Sequence, residues 1–344
     1  MFKTYKFTMP VQTLFLLALL AAGCSYPELA ERGENAPGSH RCGECHIAIY
    51  EEWKDSPHAK SFSNPAFKEV TYDYRFEFCL GCHAPDSIYT PPAADGQTSL
   101  IIPAPRQTNL DEGVNCNGCH LTADCKLAGP LKAAAPHPVA NVHSLYKKSV
   151  LCGTCHQGTY REWLAVSDRD RKSCQDCHMP SSERKLIQDA PWSWFYKNKP
   201  TRKHSFSSED GLNAVKAPIE ITLGELRAAG SEVTGVIELE NLSIPHSIPT
   251  GDYGYKEAVL IIEITYRSGR RQLIKEESFF TEMDTALEHG QKKYVKFSFP
   301  GNLKDVMGSH LETTLLRRTF DGSTKIILTQ QSMPANLSLR VDIP

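Results

Sequence analysis

The chain has 344 residues, 23% of them charged, and its formal net charge is −2. This length is enough for two domains, and the charged fraction is ordinary for a soluble protein. Because the net charge is close to zero, the sequence gives no sign of the basic surface that nucleic-acid binding requires. We therefore expect no nucleic-acid partner.

The first 23 residues have the features of a secretory signal peptide. Lys3 and Lys6 make the start basic, and residues 14–22 form an apolar run that is too short to span a bilayer. Small residues then precede Cys24, in an Ala-Ala-Gly-Cys sequence that resembles a bacterial lipobox. We expect residues 1–23 to be removed and Cys24 to be diacylated, which would anchor the mature chain to a membrane.

The residue after the anchor indicates a destination. Ser25, rather than aspartate, follows Cys24, which resembles an outer-membrane sorting signal. We expect an exported outer-membrane lipoprotein that faces the periplasm or the cell exterior, with residues 24–41 as a linker. Ala21 stands where a lipobox more usually has leucine, so plain periplasmic export is the alternative.

Ten of the twelve cysteines occur in the pattern Cys-x-x-Cys-His, which is repeated five times. Two thiols at this spacing can add across the two vinyl groups of one porphyrin edge, and the next histidine can ligate the iron. Zinc ribbons and disulfide frameworks need no adjacent histidine, so five complete copies favour haem. The sequence therefore predicts five covalently attached haem c groups, each with its iron. The cysteines are Cys42, Cys45, Cys79, Cys82, Cys116, Cys119, Cys152, Cys155, Cys174 and Cys177, and the proximal histidines are His46, His83, His120, His156 and His178.

The segment that carries these motifs contains few aliphatic residues and many glycines, prolines and loop residues. The porphyrins must therefore supply much of its hydrophobic core, with short helices and loops around them. We expect a mainly helical and loop-built pentahaem domain over residues 42–212, which cannot fold without its haems.

Two motifs continue in the same way, as CGECHIAIYEEW from Cys42 and CGTCHQGTYREW from Cys152. Tyrosine and tryptophan follow each histidine by four and seven residues, which places them on one face of a helix that starts at the motif. We expect these aromatic pairs to pack against porphyrin. The first of these helices should end near Asp55, because Ser56-Pro57 is typical of a new turn.

Eight histidines remain for the opposite faces of the irons. Imidazole on both faces gives a closed, low-spin iron that passes electrons but binds no substrate. His40 is a weaker candidate, and His289 and His310 should be exposed within the C-terminal strands. Met179 should pack against its neighbours, and the spare thiol of Cys125 should be buried. The predicted distal ligands are His58, His137, His143, His204 and His246.

From about residue 217 the chain changes to short runs rich in β-branched residues, separated by turn residues. Seven or eight such runs predict an antiparallel β-sandwich of immunoglobulin-like type over residues 217–344, so the fold class is α+β with two domains. We expect a docking or capping module, with the loop around His246 facing the haems. The predicted strands cover residues 219–223, 233–241, 257–268, 271–281, 294–301, 311–320, 324–333 and 336–343.

The motif segment resembles the multihaem cytochromes of the cytochrome c-552/c-554 type, on CGECHIAIYEEWKDSPHA, CGTCHQGTYREW and SCQDCHMP followed by RKHSF. PHSIPTG and the strands after it resemble a C-terminal module of some exported cytochromes. The resemblance implies closely packed haems, mostly with two histidine ligands, and His58 and His204 as axial ligands. The best-known members carry four haems whereas this chain has five motifs, so the pairing of each distal histidine stays open.

Three functions compete. The leading interpretation is an electron carrier that passes electrons between other redox proteins, such as cytochromes, and that can work within a porin–cytochrome assembly. The alternative is a multihaem oxidoreductase that acts on a small nitrogen or sulfur oxyanion at one open iron. A third is a polymerising cytochrome filament, against which the lipid anchor argues. We predict no catalytic residue for the electron carrier.

Overall fold

The computed structural model describes residues 25–88, 102–132, 135–141, 143–169, 171–189, 193–215, 218–252, 254–318 and 325–335. The expected signal peptide, Cys24 and the last predicted strand, residues 336–343, lie outside these residues. No helix of the described part is long and apolar enough to cross a membrane.

The motif segment consists of short helices that are joined by loops. Each motif lies at a helix, and polar side chains cap several of them: Asn115 Oδ1 accepts from the Gly118 amide at 2.8 Å, and Ser173 Oγ accepts from the Asp176 amide at 3.2 Å. The helices are α1 (Ser39–Gly43), α2 (Ile47–Lys54), α3 (Pro65–Val70), α4 (Glu77–His83), α5 (Cys116–His120), α6 (Val150–Gly153), α7 (Gln157–Ala165), α8 (Cys174–His178) and α9 (Ser208–Asn213). Single 3-10 turns cover Pro27–Ala30, Gly33–Asn35, Leu110–Glu112, Leu145–Lys147 and Ser193–Phe195.

The helix that was predicted to start at the first motif is two helices. The chain leaves α1 after Gly43 and re-enters a helix at Ile47, with His46 as the N-cap residue. The second copy has the same break between α6 and α7. The predicted end is confirmed, because α2 stops at Lys54 and Asp55 is its C-cap residue.

A two-stranded hairpin and two antiparallel sheets complete the fold. Strand β1 (Ser181–Arg184) pairs with β2 (Lys199–Arg202), and this hairpin was not predicted. In the first sheet, β8 pairs with one edge of β5, while β3 and the short, unpredicted β4 share the other edge. The second sheet has the order β10-β9-β6-β7. The sheet strands are β3 (Ile219–Leu223), β4 (Arg227–Ala229), β5 (Glu232–Asn241), β6 (Glu257–Thr265), β7 (Arg271–Phe280), β8 (Lys292–Pro300), β9 (His310–Arg318) and β10 (Lys325–Pro334), with helix α10 (Leu303–Val306) before β9.

The two sheets bury one hydrophobic cluster that draws on both of them. Alternate residues of β5 and β8 are buried, as expected for strands with one face on a core. The cluster includes Ile237 and Leu239 of the first sheet and Leu260, Ile262 and Leu315 of the second. The C-terminal sheet region therefore has an aliphatic core of its own.

The motif segment lacks a comparable aliphatic core among its described residues. Its buried hydrophobic cluster consists of Ala128, Ala140 and Tyr146, with Leu151 packed against it. Other buried residues, such as Trp53 and Phe67, lie singly near the motifs. This segment contrasts with the sheets, whose core is made by protein side chains alone.

Candidate haem sites

Three of the motif histidines are oriented by backbone carbonyl groups. The distance from Nδ1 to the carbonyl oxygen is 2.7 Å from His46 to Leu186, 2.9 Å from His83 to Ser61 and 2.6 Å from His120 to Ala128. A proton on Nδ1 that is donated to a carbonyl leaves the Nε2 lone pair for a metal. These rings therefore have the tautomer that an axial ligand requires.

Three other histidines face a motif histidine each. The ring centroids are 6.0 Å apart for His58 and His156, 6.3 Å for His204 and His120, and 6.5 Å for His246 and His178. Burial lowers the pKa of His58 and of His204 to about 3, so both imidazoles are neutral at physiological pH. The predicted candidates His58, His204 and His246 are thus each brought to a different motif.

These separations fit two imidazoles on one iron. A bond from imidazole nitrogen to a first-row metal is about 2.0 Å long. A ring centroid lies about 1.1 Å beyond the nitrogen, so two rings on one metal are about 6.2 Å apart. The three observed distances lie within 0.3 Å of this value. The residues present therefore fit haem iron, which when bound would supply a one-electron centre.

Less direct observations place the other two predicted ligands, His137 and His143. Burial lowers the pKa of His46, the hydrogen bond to the Leu186 carbonyl opposes this, and the interaction with His137 lowers it further. The same interaction lowers the pKa of His120, so His137 lies near motifs 1 and 3. His143 Nδ1 lies 2.7 Å from the Gly129 carbonyl, and its Nε2 is buried without a hydrogen-bond partner. His143 is therefore oriented as a ligand.

Among the described residues, the ring contact of His83 is a 3.7 Å stack on Phe67 rather than a histidine pair.

Cysteines of different motifs contact each other. The side chain of Cys42 lies next to that of Cys116, that of Cys82 next to Cys155, and that of Cys152 next to Cys174. Because each thiol would be bonded to a porphyrin edge, these contacts bring motif 1 next to motif 3, and motif 4 next to motifs 2 and 5. None of the described cysteines forms a disulfide.

The repeated tyrosine packs closely on a glycine, and the repeated tryptophan forms a hydrogen bond with the backbone of a distant segment. Tyr50 packs on Gly43 and Tyr160 on Gly153, at contacts so close that a β-carbon on either glycine would lie 2.6 Å from the ring. Trp53 Nε1 donates to the Val114 carbonyl at 2.8 Å, and Trp163 Nε1 donates to the Lys172 carbonyl at 2.7 Å. Each of these carbonyls lies two residues before the first cysteine of another motif. The tryptophan of each helix therefore fixes the backbone just before the first cysteine of a second motif.

We expect Trp53→Phe to lower the free energy of unfolding of the holoprotein by about 1–3 kcal/mol, because it leaves a buried carbonyl without its donor. Trp163→Phe is the matched control: its hydrogen bond is exposed, so its loss should cost less than about 1 kcal/mol. Denaturant unfolding followed by circular dichroism measures both. Equal losses in the free energy of unfolding would show that burial does not determine how much this tryptophan-to-carbonyl hydrogen bond contributes.

Two glutamates near the distal histidines were not predicted. Glu52 Oε2 accepts from the His204 amide at 3.0 Å, and Glu162 Oε2 accepts from the Ser247 amide, next to His246, at 2.8 Å. Both residues precede the tryptophan of their repeat. A glutamate at the same place in both copies was the signal in the sequence that could have indicated them.

Four residues outside the sites can be compared with expectation. Cys125 is exposed in a turn with φ 54°, so the prediction that its thiol is buried is wrong. His289 is half-buried rather than exposed, with Nδ1 3.1 Å from the Ile244 carbonyl, because the loop before His246 covers it. His310 is exposed, as predicted, and so is His40.

Comparison with known families identifies the motif segment. The family described as cytochrome c554 and c-prime matches residues 41–121, and the family described as cytochrome c7 and related cytochrome c matches residues 102–179. A penta-heme cytochrome c552 from Thermochromatium tepidum superposes with a TM-score of 0.57 at 18% identity, over 87% of this chain and 98% of that one. The motif segment is that of a multihaem c-type cytochrome. The resemblance predicted from the sequence is thereby confirmed, and electron transfer is the general function of such proteins.

The remaining comparisons add nothing to this. No curated protein matches the sequence. A β-glucosidase from Kluyveromyces marxianus superposes with a TM-score of 0.18 at 16% identity, over 34% of this chain and 14% of that one. The putative ApaA protein from Bordetella pertussis gives 0.21 at 12% identity, over 34% of this chain and 94% of that one. These scores are too low to support a fold assignment.

Proposed function

We propose that this chain is an exported pentahaem electron carrier in which every iron has two histidine ligands. The observation that carries this proposal is the facing of His58, His204 and His246 with three different motif histidines at the separation that one iron requires. Iron that is closed on both faces exchanges electrons without binding substrate. The ten motif cysteines hold the five haems covalently.

Two further ligands complete the set. His137 interacts electrostatically with both His46 and His120, and His120 already faces His204, so we assign His137 to the iron of His46. His143 then remains for the iron of His83, and its buried, unpartnered Nε2 supports a ligand role. Contacts between thiols of different motifs support close packing of the haems, as a chain of electron carriers requires.

The sheets serve as a capping module for the haems. We propose a pentahaem domain over residues 42–212 and an immunoglobulin-like β-sandwich over residues 217–344. Two sheets with one shared hydrophobic cluster support the sandwich. The loop that carries His246 docks on α7 through Glu162 and through the ion pair of Arg161 with Asp252 at 2.6 Å. His246 would thereby join the two domains through a haem.

The cellular context is proposed from the sequence. The lipobox-like residues before Cys24 support an outer-membrane lipoprotein, which faces the periplasm or the exterior. Its partners would be other redox proteins, such as cytochromes, or a porin–cytochrome assembly. Redox encounters bury small surfaces, so the partner site need not form a deep pocket.

One observation favours the oxidoreductase as a second candidate. His83 contacts Phe67 instead of facing a histidine in the described part of the chain, so its iron is a candidate for binding a small oxyanion. That function requires His143 to stay unbound. The two candidates therefore differ at a single iron.

A reductive titration tests the proposed function. We expect the oxidised holoprotein to accept five electrons per chain and to return them to an added cytochrome. Nitrite, hydroxylamine and sulfite should not be consumed when the reduced protein is mixed with them. Sustained consumption of any of the three would contradict the electron carrier and support the oxidoreductase.

A further inference from the structure

The two aromatic helices have a third repeated residue, the glutamate that precedes each tryptophan. Glu52 lies in α2 and Glu162 in α7, six residues after the histidine of motif 1 and motif 4, respectively. Each carboxylate accepts hydrogen bonds from a segment that is far away in sequence. A glutamate on a helix surface is ordinarily solvated, so these two long-range contacts call for an explanation.

Glu52 binds the backbone of one distal histidine. Its Oε2 accepts from the His204 amide at 3.0 Å, and its Oε1 lies 2.9 Å from the guanidinium of Arg184. Arg184 is itself buried and donates from Nε to Thr201 Oγ1 at 2.8 Å. The β1–β2 hairpin thus fixes the carboxylate, and the carboxylate fixes the amide of His204, whose ring faces His120 of motif 3.

Glu162 does the same for the other distal histidine. Its Oε2 accepts from the Ser247 amide at 2.8 Å and from Thr250 Oγ1 at 2.6 Å. Thr250 Oγ1 also lies 3.0 Å from Thr159 Oγ1 of α7. The residue before Ser247 is His246, whose ring faces His178 of motif 5.

The tryptophan and serine contacts are also equivalent in the two copies. Trp53 holds the carbonyl two residues before motif 3, and Trp163 holds the carbonyl two residues before motif 5. Ser39 Oγ accepts from the Cys116 amide at 3.4 Å, and Ser149 Oγ accepts from the Cys174 amide at 3.0 Å. Motifs 1 and 3 are therefore joined by the same set of contacts as motifs 4 and 5.

We propose that Glu52 and Glu162 are positioning residues for the axial ligands His204 and His246. In each copy, the tryptophan binds the segment that carries the proximal histidine of one haem. The glutamate binds the segment that carries the distal histidine of the same haem. One helix therefore positions both axial ligands. The chain then contains a two-haem module twice, as motifs 1 and 3 and as motifs 4 and 5, with motif 2 inserted into the first copy. This inference rests on the proposed bis-histidine haems.

Alanine variants of the two glutamates test the positioning role in the holoprotein. Glu52→Ala should convert a fraction of one haem, that of motif 3, to high spin, and Glu162→Ala should do so for motif 5. His204→Ala and His246→Ala provide the reference high-spin spectra of those two haems. Low-temperature electron paramagnetic resonance, with haem quantified in each sample, measures the converted fraction.

Conservative variants separate positioning from charge. Glu52→Gln and Glu162→Gln keep an oxygen that accepts from the backbone amide, so both should keep all haems low-spin. The loss of a negative charge near the iron disfavours the ferric state, so the potential of the affected haem should rise while the others stay unchanged. The control is Glu51→Ala, which precedes Glu52 and whose carboxylate pairs with Lys54 instead of a distal segment.

Alanine variants that retain the wild-type spectrum and the wild-type potentials would overturn the inference. A change at a haem other than motif 3 or motif 5 would also overturn it. If the wild-type protein already had high-spin iron at these two motifs, the bis-histidine proposal would fail first. The wild-type spectrum therefore separates a failure of the proposed function from a failure of the positioning role.

Discussion

His246→Ala should convert one haem of the holoprotein, that of motif 5, from low spin to high spin, while the other four stay low-spin. The His246 ring lies 6.5 Å from the His178 ring, which fits two ligands on one iron. Its Nδ1 lies 2.9 Å from the Ser247 carbonyl, which leaves Nε2 for the metal. Alanine offers no ligand at this place, so the iron is left with one axial histidine.

The haem itself should remain attached in this variant. Cys174, Cys177 and His178 are unchanged, so the haem content per chain should equal that of the wild type. His310→Ala is the control, because His310 is exposed on β9. Electron paramagnetic resonance of both variants measures the spin state, and a fully low-spin His246→Ala protein would refute ligation by the sheet region.

Chain that is produced without haem attachment should have an unfolded motif segment and folded sheets. The buried cluster of the sheets is built from side chains such as Ile237, Leu260 and Leu315, which need no cofactor. The motif segment has a cluster of Ala128, Ala140 and Tyr146, which is too small to offset the conformational entropy of ordering about 170 residues. Haem attachment is therefore a condition for folding in one part and not in the other.

Limited proteolysis with mass spectrometry measures this difference. In the haem-free chain, cleavage should fall throughout residues 42–212, and a resistant fragment should begin near residue 217. The holoprotein is the control, and its motif segment should resist cleavage. A haem-free motif segment that is as resistant as the holoprotein would show that protein side chains alone suffice for its fold.

The sequence predicted those features that depend on local spacing. The five motifs are defined by fixed offsets, and strand β3 begins and ends where its alternation predicted, at Ile219 and Leu223. Strands β5 to β10 also lie within a few residues of their predicted positions. In these segments the apolar residues of the sequence pattern are also the residues on the buried face, so the pattern alone predicts the strand.

Features that depend on long-range contacts were missed. The β1–β2 hairpin has no clear alternation, and its position follows from the bond of buried Arg184 to Glu52. The pairing of His204 with motif 3 joins residues that are far apart in sequence, and no spacing rule connects them. The break between α1 and α2 was also missed, because a helical period in the side chains does not report a turn at the motif itself.

Bis-histidine ligation of all five irons is tested most directly by a low-temperature electron paramagnetic resonance spectrum of the oxidised mature protein, with iron and haem quantified in the same sample. We expect low-spin signals that integrate to five haems per chain, with every iron closed by a second histidine and His143 bound at the iron of His83. A high-spin signal of about one haem equivalent would contradict it. That result would show that one iron is open and favour the oxidoreductase.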